Sequence, residues 1–199
     1  MDLCTLAKSY GVDKCPAIRH SYTPAYHTIL NGLRDTIKLV LEIGIGNAPL
    51  MVPIVGRTYK PGASLRMWRD YFPGAQIIGC DILESVLFKE ERINTVIADQ
   101  SNETSLKTLV AYTKTFGEYT DLIVDDGSHI VEHMRLSFKV LWVSVRPGGL
   151  YIIEDIQAKH LEQFKVLHTE FGFTDAELVY SHLGKNHWDS FVVFRKVVA

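Results

Sequence analysis

Short, unbroken runs of Val, Ile and Leu recur along this 199-residue chain, and segments of helical length separate them. A strand with one face in solvent alternates apolar and polar residues. A continuous apolar run reads as a strand covered on both faces, as in a parallel sheet wrapped by helices. The runs predict strands over 38–43, 76–82, 95–98, 122–125, 150–153, 177–181 and 190–195. Between them, helices are expected over 24–33, 65–71, 103–116, 131–145 and 159–171. Asn102 suits the N-cap of the third, and Pro147-Gly148-Gly149 suits the end of the fourth. Alternation of this kind specifies a doubly wound α/β fold. The last two strands are joined by the polar stretch 182–189, which is too short for a crossover helix, so they should pair antiparallel. The expected architecture is therefore a seven-stranded, mostly parallel sheet with a C-terminal antiparallel hairpin. That is the Rossmann-like arrangement of class I methyltransferases, and plain dinucleotide-binding domains lack its hairpin.

Bulk properties narrow the classes further. The length fits one domain with a full core. A formal net charge of −2 gives no electrostatic case for nucleic acid or an acidic membrane. Cys4, Cys15 and Cys80 are scattered and odd in number, which argues against a disulfide framework or a zinc site and for a reducing compartment. No apolar run approaches the roughly 18 residues of a membrane span. Met1-Asp2-Leu3-Cys4 carries neither the basic nor the apolar region of a signal peptide. A cytoplasmic protein is expected, and a homodimer follows from base rates alone.

Gly44 and Gly46 follow the first predicted strand, where glycine lets the backbone turn sharply and a ligand approach closely. Gly-x-Gly after a strand also fits a nicotinamide or flavin site. Here Pro49 stands where the dinucleotide fingerprint has its third glycine, and Glu42 precedes the turn, which favours S-adenosylmethionine. Asp81, ending the second strand, suits the ribose hydroxyls. Gly62 and Ser64 read as a second loop entering a helix. Asp99 suits the adenine amino group with Gln100 beside it, and a helix cap is the competing reading of Asp99.

Two acidic pairs, Asp125-Asp126 and Glu154-Asp155, end strands that should be neighbours. Both pairs then sit at the carboxyl edge of the sheet, where open α/β folds bind ligands. Four converging carboxylates repel one another unless something positive joins them, and an all-oxygen set suits Mg²⁺. Asp126, Glu154 and Asp155 are the candidate metal ligands, with Asp125 supporting them beside the cofactor. The competing reading makes these acids helix caps or solvated charges. His129, three residues past Asp126, is the candidate general base for a hydroxyl, and His133 is a poorer one.

The chain resembles the macrocin-type sugar O-methyltransferases. The likeness rests on Tyr10-Gly11-Val12-Asp13-Lys14, on His20-x-Tyr22-Thr23-x-x-Tyr26 and on Leu41 to Gly46. It rests also on Gly62 to Trp68, Asp125-Asp126-Gly127-Ser128-His129 and Gly148 to Asp155. The resemblance implies S-adenosylmethionine and Mg²⁺ as cofactors, metal ligands at Asp126, Glu154 and Asp155, and a base at His129. It also implies that residues 1–36 form a helical cap, with Tyr10, His20, Tyr22 and Tyr26 closing over cofactor and substrate, ahead of a methyltransferase domain at 37–199. Macrolide-modifying members carry a further N-terminal domain, and this chain begins almost at Tyr10. The expected acceptor is accordingly smaller, a nucleotide-linked or glycan-attached deoxysugar. Three alternatives stand beside this reading: a catechol-type O-methyltransferase, a nicotinamide-dependent oxidoreductase, and a binding module that keeps the fold without turnover.

Overall fold

A computed structural model describes residues 2–184 and 188–197. Eight strands form one sheet: β1 (Leu39–Ile43), β2 (Gln76–Asp81), β3 (Lys89–Glu90), β4 (Ile93–Ile97), β5 (Thr120–Asp125), β6 (Val145–Ile156), β7 (Ala176–His182) and β8 (Ser190–Lys196), in the order β3-β4-β2-β1-β5-β6-β8-β7. β4, β2, β1, β5 and β6 run parallel, and β8 lies antiparallel between β6 and β7. The expected terminal hairpin is therefore present. Part of its connection, residues 185–187, lies outside the described residues. The eighth strand is β3, two residues paired antiparallel to β4 and too short to leave a signal in the sequence.

The unbroken apolar runs have a direct cause. Along β1, Val40 packs into one core while Leu39, Leu41 and Ile43 pack into the other. Along β5, Leu122 and Val124 face the first core and Ile123 the second. One layer contains α1 (Leu3–Tyr10), α2 (Tyr22–Leu30) and α4 (Ala63–Tyr71). The other contains α5 (Glu103–Thr113), α6 (Val131–Leu141), α7 (Leu161–Lys165) and α8 (Leu167–Glu170). Because the apolar residues of the central strands fill a core on each face of the sheet, polar alternation has no place there.

Several boundaries differ from expectation. The fourth helix stops at Leu141, a 3-10 turn follows over Trp142–Ser144, and β6 begins at Val145. Pro147-Gly148-Gly149 therefore sits inside β6, as an irregularity in its pairing with β5, and does not end a helix. Asp121 secures this corner: its carboxylate accepts the backbone N–H groups of Lys38 and Leu39 and pairs with Arg146. The last expected helix is divided at Val166 into α7 and α8. Periodicity marked neither α1, which falls in the helical cap expected over 1–36, nor α3 (Ala48–Val55). Pro49 stands in the first turn of α3, where a missing N–H costs nothing, and Asn47 caps it by accepting from Leu50 N. No helix among the described residues is long and apolar enough to cross a membrane.

Candidate active site

The carboxyl ends of β1, β2, β4, β5 and β6 open on one cavity of about 650 Å³. That is the size of a small-molecule site. It lies where the strand order reverses on either side of β1, as expected for an open α/β sheet. Gly44 and Gly46 line it in left-handed conformations, with φ of 92° and 75°. The protein's own packing requires both glycines. A Cβ on Gly44 would run into the backbone carbonyl of Asp126, and one on Gly46 into the hydroxyl of Tyr59. The turn thus lets the end of β5 approach closely while leaving room for a ligand.

Other expected cofactor residues divide into two sets. Ser64, Asp81, Asp99 and Gln100 line the cavity. The Asp81 carboxylate accepts from Ile45 N and Leu83 N, both at 2.9 Å, and so ties its own loop to the glycine turn. Asp99 accepts from the Ser101 N–H and hydroxyl, while Asn102 caps α5 by accepting from Ser105 N. Gln100 bridges two loops, donating to Asp125 at 2.6 Å and accepting from Ser128 N at 2.9 Å. Glu42, Gly62 and Asp125 do not line the cavity. Gly62 donates its N–H to Ile45 O and lies against the Phe88 ring. Burial pushes the Asp125 carboxyl up to about 7, against the opposing hydrogen bond from Gln100.

The acidic cluster is organised around a residue that sequence reasoning gave no role. Lys14 is 1% exposed, and its Nζ lies 2.5 Å from Asp126 Oδ2, 2.5 Å from Glu154 Oε2 and 3.6 Å from Glu42 Oε1. Burial opposes its charge, but Asp126, Glu154 and Glu42 together hold the ammonium protonated well above the ordinary lysine range. Burial also pushes Glu42 up to about 7 and Glu154 well above the usual carboxylate range, with Lys14 opposing both shifts. The second Glu154 oxygen accepts from the Tyr26 hydroxyl at 2.8 Å. Both oxygens of this buried candidate ligand are therefore engaged by the protein.

Asp126, His129 and Asp155 are brought together differently. Each offers one atom to a group whose members lie within 4.8 Å of one another at the cavity wall. His129 Nε2 is 3.7 Å from Asp155 Oδ2, and its buried Nδ1 has no hydrogen-bond partner among the described residues. His129 and Asp155 both adopt left-handed backbone, φ 55° and 51°, a conformation that among the described non-glycine residues only Arg92 shares. Such strain persists where surrounding structure imposes it, and it concentrates at functional sites. Two carboxylates and an imidazole fit a hard or borderline divalent cation.

Tyr10, His20, Tyr22 and Tyr26 are all absent from the cavity wall. Tyr10 donates to Asp70 Oδ2 at 2.5 Å, joining α1 to α4. His20, Tyr22 and Tyr26 are buried. The N-terminal segment reaches the cavity through Gly11 to Lys14 and Arg19 instead. The signal for Lys14 was present in the sequence, as a charged Asp13-Lys14 pair inside a segment rich in aromatic and His residues.

No family model matches the chain. It is 38% identical over 163 residues to 8-demethyl-8-alpha-L-rhamnosyl tetracenomycin-C 2'-O-methyltransferase of Streptomyces olivaceus, covering 82% of this chain and 40% of that protein. It is 41% identical over 155 residues to demethylmacrocin O-methyltransferase of Streptomyces fradiae, covering 78% and 36%. Among solved structures it is similar to the MycE methyltransferase from the mycinamycin biosynthetic pathway in complex with Mg, SAH and mycinamycin VI. That match has a TM-score of 0.76 and 31% identity, over 99% of this chain and 55% of the other. The chain thus spans about two fifths of the length of these curated relatives. Over that span it is a homologue of the macrocin- and mycinamicin-type sugar O-methyltransferases and has their fold.

Proposed function

We propose that the chain catalyses transfer of a methyl group from S-adenosylmethionine to a sugar hydroxyl, with a divalent cation, Mg²⁺ by default, at Asp126 and Asp155. The acceptor we favour is a nucleotide-linked or glycan-attached deoxysugar. The observation that carries this reading is the juxtaposition of Asp126, His129 and Asp155 on the wall of the cavity that begins at Gly44–Gly46. The names of its relatives agree with it.

Bound there, S-adenosylmethionine supplies a sulfonium methyl and the cation supplies an oxygen-binding Lewis acid. The protein does the rest. The glycine turn leaves space for the cofactor, and Asp81 and Asp99 present carboxylate oxygens to its ribose and adenine side. Because His129 Nδ1 is buried, Nε2 is the ring nitrogen that meets an acceptor hydroxyl. It would take the proton of that hydroxyl, and Asp155, 3.7 Å away, would steady the imidazolium. Residues 1–36 act as a cap, with residues 11–14 and Arg19 as its face toward the ligands. All three cysteines are free thiols, in keeping with a cytoplasmic setting.

The test is methyl transfer from labelled S-adenosylmethionine to a panel of nucleotide sugars, glycosides and catechols. Turnover on a sugar with Mg²⁺, lost in EDTA and lost in His129→Ala at unchanged cofactor affinity, is expected. Full activity in chelator overturns the metal role, and an active His129→Ala overturns the base.

A further inference from the structure

Helix α2 presents Tyr22 and Tyr26 four residues apart, on one face. They meet consecutive acids of β6. Tyr22 donates to Asp155 Oδ1 at 2.5 Å, and Tyr26 donates to Glu154 Oε1 at 2.8 Å. Neighbouring residues in a regular strand point to opposite faces. The positive φ of Asp155 breaks that alternation, and both carboxylates are left within reach of one helix. We infer that α2 is the outer shell of the divalent-cation site, with Tyr22 and Tyr26 acting as positioning residues for Asp155 and Glu154 and not as contacts to substrate.

Four observations support this. Both tyrosines are completely buried, and neither lines the cavity. Their rings are fixed: His20 stacks on Tyr22 at 4.9 Å, and Phe191 packs edge-on to Tyr22 and Tyr26 at 5.0 and 4.9 Å. His20 is itself held by Asp189, 3.0 Å from its Nδ1. Finally, a phenol donates one proton and brings no charge. It fixes a carboxylate rotamer without neutralising it, and Asp155 Oδ2 stays turned toward His129. Outer-shell hydrogen bonds to metal-binding carboxylates are worth roughly 10–100-fold in metal affinity.

This inference rests on the cation reading above, and one experiment separates the two. Mn²⁺ and S-adenosylhomocysteine are titrated by calorimetry, with free Mn²⁺ counted by electron paramagnetic resonance, into the whole chain and its Tyr22→Phe variant. Tyr22→Phe removes one hydroxyl and keeps the ring. It should weaken Mn²⁺ binding roughly 10–100-fold while S-adenosylhomocysteine affinity stays within about twofold. In an Asp155→Asn background the same change should have no further effect on Mn²⁺. Tyr26→Phe acts at one remove, through Glu154 and Lys14 to Asp126, and should weaken Mn²⁺ binding selectively but less than Tyr22→Phe does. Unchanged Mn²⁺ affinity in both tyrosine variants overturns the positioning role and leaves the cation site standing. So does a parallel loss of Mn²⁺ and S-adenosylhomocysteine, or an undiminished Tyr22 effect in Asp155→Asn. A wild-type chain that takes up no Mn²⁺ removes the cation reading and this inference together.

Discussion

Replacing Lys14 with Met keeps the length and apolar stem of the side chain and deletes one buried positive charge. The ammonium lies 2.5 Å from each of two carboxylates and 3.6 Å from a third. Glu42 and Glu154 are buried, so neither can turn to water when the charge is gone. Removing one partner of a buried pair costs about 3–5 kcal/mol. In a chain of this length that lowers Tm by roughly 6–20 °C. The loss depends on pH, and its sign is fixed. The folded pKa of Lys14 is raised, so its stabilisation is present throughout the neutral range and disappears only in strong alkali. The folded pKa values of Glu42 and Glu154 are also raised, and that stability is present at low pH and lost as pH rises, for Glu42 through about 7. Without the ammonium their ionisation opposes folding more strongly. The deficit of Lys14→Met should therefore be largest above pH 7 and shrink toward pH 5, where protonated carboxyls need no counter-ion. Urea unfolding of both proteins between pH 5 and 9 measures this. A deficit under about 1 kcal/mol, or one that does not change with pH, refutes the view that Lys14 is the cluster's internal counter-ion.

Asp125→Asn should stabilise the ligand-free chain at alkaline pH. The wild-type carboxyl, raised from 3.8 to about 7 by burial, favours folding only while protonated, and ionising it above 7 costs on the order of 2–4 kcal/mol. The advantage of Asn should fade as pH falls toward 4 in chemical denaturation, and no gain at pH 8 contradicts the burial argument. Gly44→Ala puts a Cβ into the Asp126 carbonyl and forces φ 92° on a residue with a side chain. It should cost at least about 1–3 kcal/mol of stability and more than tenfold in S-adenosylhomocysteine affinity, both read by calorimetry. Gly46→Ala meets only the movable Tyr59 hydroxyl first and should be milder.

Much of the sheet was legible because each central strand meets apolar layers on both sides, and that requirement is written into the apolar residues of 39–43, 76–81 and 122–125. Elements whose stability comes from elsewhere were not legible. α3 has no buried residue. Its apolar Leu50, Met51 and Ile54 line the cavity instead of a core, so no periodic stripe marks it, and its prolines read as breakers. α1 buries Leu3, Leu6 and Ala7 but spans only eight residues, too few for a clear stripe, and its other ties join residues that a sequence does not pair: Asp2 accepts from Thr5 N, and Tyr10 reaches Asp70 sixty residues away. The extent of β6 was misjudged because Pro147 to Gly149 has the composition of a helix stop. The structure spends those residues on an irregularity beside Asp121 and Arg146.

For the site, spacing along the chain named the residues, and charge balance decides how they divide. Four strand-end carboxylates do require positive charge. That requirement fixes the sign of what is needed, and it does not say whether the protein or the solvent provides it. Lys14 is shared by Glu154 and one oxygen of Asp126, each at 2.5 Å, and by Glu42 at 3.6 Å. Among the described residues no lysine or arginine pairs with Asp155: a tyrosine hydroxyl holds one oxygen, with His20 Nε2 3.8 Å from it, and His129 faces the other at 3.7 Å. The unmet negative charge therefore lies on the Asp126–Asp155 side, next to His129 and open to the cavity. A divalent ion held by Asp126 and Asp155, as proposed above, would add positive charge on that side, beside the His129 imidazole.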